Sequence, residues 1–231
     1  EPPLEPPKTA VQRLIRSGET HRRARAFSKA IPFYLEALEL DPGNGPLLLH
    51  LADAYRGLKD LESSLAYWRK YLDAHPGDAG IHSRMADAFK RAGRPELAIT
   101  HYERALQIDP NNRYALMGLG DLHYKAQTFD RALVCWERLL GLNPTLVNIL
   151  TMVGNIHRRE FDFRKAAACF ETVLQAEPDN PYAIFGMADA LRGQGRFAEA
   201  APYWEAILER DGQNKQVLTR AGDCFFRLGR L

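Results

Sequence analysis

What the chain lacks narrows its class first. Its 231 residues hold only three cysteines, Cys135, Cys169 and Cys224, with no Cys-x-x-Cys pair. An odd, small number gives no disulfide framework and leans towards a reducing compartment. No apolar run approaches the roughly 20 residues of a membrane-spanning helix, so no transmembrane span is expected. No basic start followed by an apolar stretch marks a secretory signal. A cytoplasmic location is favoured, although a periplasmic or secreted one stays open because the chain starts at Glu1 and not at Met. Charge of one sign is missing too. The 31 basic and 29 acidic residues leave +2, too balanced to predict nucleic-acid binding. Gly-x-x-x-x-Gly-Lys, His-Glu-x-x-His and Gly-x-Ser-x-Gly motifs are absent, and the seven histidines are scattered. No catalytic residue, metal site or cofactor is expected.

What is present is a period. Pro42, Pro76, Pro110, Pro144 and Pro178 are evenly spaced at 34 residues, and Gly212 takes the sixth slot. Twelve residues before each lie Ala30, Ser64, Ala98, Ala132, Ala166 and Ala200. Eight before each lie Tyr34, Trp68, Tyr102, Trp136, Phe170 and Trp204. Twenty-four before each lie Gly18, Ala52, Ala86, Gly120, Gly154 and Ala188, and Gly222 continues that series. Small residues let two helices approach closely, and an aromatic fills the gap towards the next pair. A leucine four positions after each aromatic shares its helix face. Asp-Pro ends the second helix, because proline disfavours a helical residue before it. Asn44, Asn112, Asn180 and Asn214 then read as turn or cap residues.

These residues resemble the tetratricopeptide repeat, whose pattern places a small residue at position 8, Ala at 20, an aromatic at 24 and Pro at 32. The match covers residues 11–231. The resemblance implies an all-α, right-handed superhelical solenoid of antiparallel helix pairs: six full repeats (11–44, 45–78, 79–112, 113–146, 147–180 and 181–214) and the first helix of a seventh (215–231). A stack of hairpins buries apolar faces that one hairpin cannot. Residues 1–10, rich in proline and without period, read as an extended leader. Pro32 and Pro202 fall just past the first turn of their helices and predict a kink or a delayed helix start. His21, His123 and His157 occupy a packing position, as do Cys135 and Cys169.

In this family the first helix of each repeat lines the binding groove through positions 2, 5, 6, 9, 12 and 13. Here those positions hold thirteen basic and six acidic residues, a surplus of seven against +2 for the whole chain. One reading pairs each position-9 acid with the base three or four residues later, leaving a solvated face. That leaves a surplus unexplained: Arg158 and Arg159 sit where the acid has become Asn155, and Arg84, Lys90 and Arg91 share Asp87. Unpaired guanidinium groups suit carboxylates. Tyr114, Met117, Gly118 and Tyr124, then Tyr182, Phe185 and Gly186, add aromatics beside glycines. They read either as repeat-to-repeat packing or as pockets for apolar side chains. The expected partner is a protein segment, acidic with apolar anchors, lying across repeats three to six. Its contacts are Arg84, Asp87, Lys90, Arg91, Tyr114, Met117, Asp121, Tyr124, Lys125, Asn155, Arg158, Arg159, Tyr182, Phe185, Asp189 and Arg192. The carboxylate clamp of chaperone-binding members is absent, since position 5 carries no lysine.

The predicted function is a non-catalytic protein–protein interaction scaffold. The alternatives are a structural protein that self-associates through an open C-terminal end, where Leu218, Phe225 and Phe226 lie uncovered, or a regulatory module of a larger enzyme.

Overall fold

The computed structural model describes residues 7–230, and among them every regular element is an α-helix. In chain order these are α1 (Pro7–Arg23), α2 (Phe27–Leu40), α3 (Gly45–Gly57), α4 (Leu61–Ala74), α5 (Ala79–Arg91), α6 (Pro95–Ile108), α7 (Arg113–Lys125), α8 (Phe129–Leu142), α9 (Val147–Arg159), α10 (Phe163–Ala176), α11 (Pro181–Gly193), α12 (Phe197–Arg210) and α13 (Lys215–Arg227). Six helix pairs and one further helix make an all-α repeat fold. From α3 onward the odd-numbered helices start at the first residue of each 34-residue repeat.

The predicted asparagines act as caps. Asn44 Oδ1 accepts the Leu47 amide at 3.1 Å, and Asn112, Asn180 and Asn214 serve α7, α11 and α13 likewise. Asp60, Asp78 and Asp162 cap α4, α5 and α10. Between the two helices of each hairpin one residue takes a positive φ: Arg25, Lys59, Gly93, Gln127, Phe161 and Gly195, with Gly229 following α13. This left-handed residue lets the next amide reach back to the first helix, as Asp60 N–H does to Tyr55 O at 2.9 Å. Only three of the seven are glycine.

Two expectations are corrected. The leader ends sooner than residue 10, because Pro7–Ala10 form the first turn of α1; residues 1–6 lie outside the described part. Proline suits a first helical position, where its missing N–H would have no partner, and Val11 and Leu14 bury just behind it. Pro32 and Pro202 do not delay their helices, since α2 and α12 start in the same register as the other second helices. Both rings are exposed, and so are Ser28 and Ala198, whose carbonyls lose a donor and can turn to water.

The chain divides between Leu119 and Gly120 into two compact units. In the first, Leu14, Ala30, Tyr34, Leu47 and Leu51 are central to the core. In the second, Leu150, Phe170, Met187, Trp204 and Cys224 are. All six position-24 aromatics are fully buried. Three of the position-8 glycines make room for them: a Cβ on Gly154 would lie 2.9 Å from Phe170 Cζ, and one on Gly18 or Gly120 would overlap Tyr34 or Trp136. All three cysteines are free thiols; His123 and His157 are buried and His21 stacks on Phe33.

Candidate functional site

The face built from positions 6, 9, 12 and 13 is a ladder of ion pairs, and the pairing differs from the expected one. Within a helix, Glu19–Arg22 (2.7 Å), Asp53–Arg56 (3.2 Å), Asp87–Lys90 (3.8 Å) and Asp189–Arg192 (3.0 Å) form as expected. Hydrogen bonds from Arg22 outweigh burial and hold the Glu19 carboxyl at about 2. A second set joins successive repeats. Arg84 reaches Asp53 at 3.4 Å, Arg158 reaches Asp189 at 2.6 Å, Arg192 reaches Asp223 at 3.0 Å, and Arg220 also bonds Asp189. The two residues are 31 apart in each case, one repeat less three, so the partner belongs to the neighbouring hairpin.

This corrects the expectation that Arg84 and Arg158 are unpaired. It also fixes the character of the second unit. Asp189 is 3% exposed and receives three guanidinium groups. Burial alone would raise its pKa, but those hydrogen bonds outweigh it and hold the carboxyl below the usual carboxylate range. Phe185 lies between Arg158 and Arg220, 5.5 and 5.6 Å from its ring centre, and sets an edge against Trp204. Asn155 Oδ1 accepts from Arg158 at 3.3 Å. Arg159 stacks 4.6 Å over Phe129, and Tyr124 packs against Phe129 and Trp136. Half of the residues expected to grip a partner in this unit, Asn155, Arg158, Phe185, Asp189 and Arg192, therefore contact one another. Tyr182, 71% exposed, and exposed Lys125 face solvent; Asp121 is half-buried.

The glycine pockets are corrected as well. A Cβ on Gly118 would run into the Tyr102 ring, and one on Gly186 into Phe170. Position 6 is glycine because the preceding repeat's aromatic fills that space, so the repeat-to-repeat packing reading holds.

In the first unit four of the six predicted residues, all but Lys90 and Met117, line one open space. Arg84, Asp87, Arg91 and Tyr114 line a cleft of about 760 Å³. Asp53, Arg56 and Lys59 complete its charged lining. Arg56 and Arg84 share Asp53, each with a side chain 52% exposed. Asp87 accepts a hydrogen bond from the Tyr102 hydroxyl, and Lys90 stands 5.8 Å over the Tyr102 ring. Lys59 and Arg91 are exposed and have no acid within 4 Å among the described residues. Tyr114 is 76% exposed and Met117 42%. Repeat two was missed as a contributor. Asp53 and Arg56 were legible from their positions, whereas Lys59 enters only through its left-handed turn.

Three models described as tetratricopeptide repeat match the chain, over residues 83–145 and 185–231, 45–111, and 157–201. The chain belongs to the tetratricopeptide repeat family. Curated proteins give no sequence match. Among solved structures, this TPR chain resembles the C-terminal part of a TPR repeat-containing protein from Cytophaga hutchinsonii, at 18% identity and TM-score 0.67, covering 91% of this chain and 81% of that one. It resembles Pseudomonas aeruginosa pilF at 16% and 0.64, covering 94% and 97%. It also resembles YrrB, a TPR protein with an unusual peptide-binding site, at 18% and 0.61, covering 78% and 97%. These likenesses establish a shared fold. TPR repeats make protein–protein interaction scaffolds, generally non-catalytic. No helix among the described residues is long and apolar enough to cross a membrane.

Proposed function

We propose that this TPR scaffold holds an acidic segment of a partner protein in the cleft of its first unit and catalyses nothing itself. The supporting observation is the lining of that cleft. Four cations, Arg56, Lys59, Arg84 and Arg91, line the cleft with two acids, Asp53 and Asp87, and among the described residues Lys59 and Arg91 have no acid within 4 Å. Such donors suit carboxylates, which guanidinium groups grip with two parallel hydrogen bonds. Tyr114 in the same lining, and Met117 three residues further along α7, offer exposed apolar surface for anchor side chains. YrrB, which shares the fold, has a peptide-binding site of its own. In the second unit Arg158, Arg192 and Arg220 are committed to Asp189, and Tyr182 is an exposed aromatic.

The test is fluorescence anisotropy with a labelled peptide of alternating glutamate and leucine. Binding in the micromolar range, about −8 kcal/mol, should weaken at least tenfold in Arg84→Glu/Arg91→Glu with helix content unchanged. Equal binding by both proteins would remove the cleft from the account.

A second reading has one observation behind it. α13 exposes Leu218 (47%) and Phe226 (63%), a surface through which copies could associate. Mass that rises with concentration and falls back in Leu218→Glu/Phe226→Glu would favour it.

A further inference from the structure

The charge and shape of the first-unit cleft carry more than a preference for acids. Among its lining residues the cations exceed the acids by two. One carboxylate would leave half of that surplus facing itself. A phosphomonoester carries about −1.5 to −2 at neutral pH and three acceptor oxygens, and would cancel it.

The donors are arranged for a group that is shared. Arg56 bonds Asp53 Oδ1 through Nε and Nη2, at 3.3 and 3.2 Å, while Arg84 bonds Oδ2 through Nη1 alone, at 3.4 Å. The two guanidinium groups thus flank one carboxylate and lie within reach of a common ligand. Arg84 commits one of its five N–H groups to that bond. Arg91 and Lys59 commit none within the described residues. Small residues, Gly80, Ser83, Ala88 and Ala92, contribute to the same lining. Position 2 is Tyr114 and Tyr182 in later repeats, but at Gly80 a Cβ would meet only the carboxylate of Asp78, two residues earlier, at 3.1 Å. A tetrahedral group, bulkier than a carboxylate, fits within the cleft's volume of about 760 Å³.

We propose that the cleft is built for a phosphorylated side chain, phosphoserine or phosphothreonine, carried on the partner segment, with Arg84 and Arg91 its principal donors and Lys59 and Arg56 closing around it. This rests on the acidic-segment reading and sharpens it to a dianionic group.

The experiment uses three probes on the whole chain, N-acetyl-phosphoserine N-methylamide, N-acetyl-glutamate N-methylamide and inorganic phosphate, each followed by ¹H–¹⁵N NMR titration. The phosphoserine probe should move the amides of Gly80–Ala92, saturate, and bind at least tenfold more tightly than the glutamate probe. Arg84→Gln/Arg91→Gln should lose at least tenfold of that affinity, and Lys59→Gln, at an exposed turn, a smaller part. Equal binding of the phosphoserine and glutamate probes overturns the dianion inference and leaves the acidic-segment reading standing. Inorganic phosphate binding as tightly as phosphoserine overturns the assignment to a peptide-borne group. If no probe moves these amides, and the glutamate–leucine peptide also fails to bind, both readings fall together.

Discussion

Arg158 extends from α9 to the next repeat and sets its Nη1 2.6 Å from a carboxylate oxygen of the buried Asp189. With Arg192 and Arg220 on the same acid, the last three repeats are tied at one point. Removing one partner of a buried ion pair costs about 3–5 kcal/mol, because the other charges stay desolvated and unmatched. Asp189→Asn is therefore expected to lower stability by about 3 kcal/mol in urea unfolding. Arg158→Ala and Asp189→Ala together should cost less than the sum of the single changes, a coupling that a double-mutant cycle reads directly. Strict additivity would mean that the tie carries no energy.

Two glycines give a paired test of the packing account. At Gly186 any side chain meets the Phe170 ring, whereas at Gly222 a Cβ meets nothing within 4 Å. Gly186→Val should destabilise by about 1–3 kcal/mol through overpacking. Gly222→Ala should stabilise α13 by about 0.5–1 kcal/mol, since glycine is a poor helix interior residue. Thermal melts of the two variants shifting the same way would contradict the assignment of position 6 to ring packing.

His82 and His101 place their Nδ1 atoms 3.2 Å apart, and His101 stacks on Phe89. One imidazole can donate to the other only while at least one of the facing nitrogens is unprotonated. Burial is the main cause holding both pKa values below 6.5; Arg104 also disfavours the charged form of His82, Asp78 opposes it, and His82 and Arg69 disfavour that of His101. Asp73 lines the same depression. The sign follows from the direction of the shift. Below about pH 6.5 the unfolded chain takes up protons that the folded pair refuses, so stability falls as pH drops through that value. The urea midpoint should decline between about pH 7.5 and about pH 5.5, and His101→Gln should flatten the decline. An unchanged slope in that variant would assign the pH dependence elsewhere.

The fold was legible because its signals are local and recur. Proline after five of the six second helices and small residues at positions 8 and 20 act within one hairpin, the aromatic at 24 recurs with them, and the period verifies all of them. The ion pairs were legible by half. Asp53–Arg56 lies on one helix and follows from spacing alone. Arg84–Asp53 and Arg158–Asp189 join successive hairpins, and an expectation drawn from single helices counts those arginines as free. Gly118 misled for the same reason. The ring that fills its space, Tyr102, belongs to the preceding repeat and lies sixteen positions earlier in the chain. The left-handed residues Lys59 and Phe161 carry no glycine to announce them, and Lys59 reaches the cleft through that turn.

The central claim is that the first-unit cleft selects acidic segments, and an unbiased selection tests it most directly. Random twelve-residue peptides displayed against the immobilised chain should return sequences enriched in aspartate and glutamate beside an aromatic or aliphatic residue. The same selection on Arg84→Glu/Arg91→Glu should lose that enrichment. Sequences without acidic bias, or the same acidic sequences recovered equally by both proteins, would contradict the account.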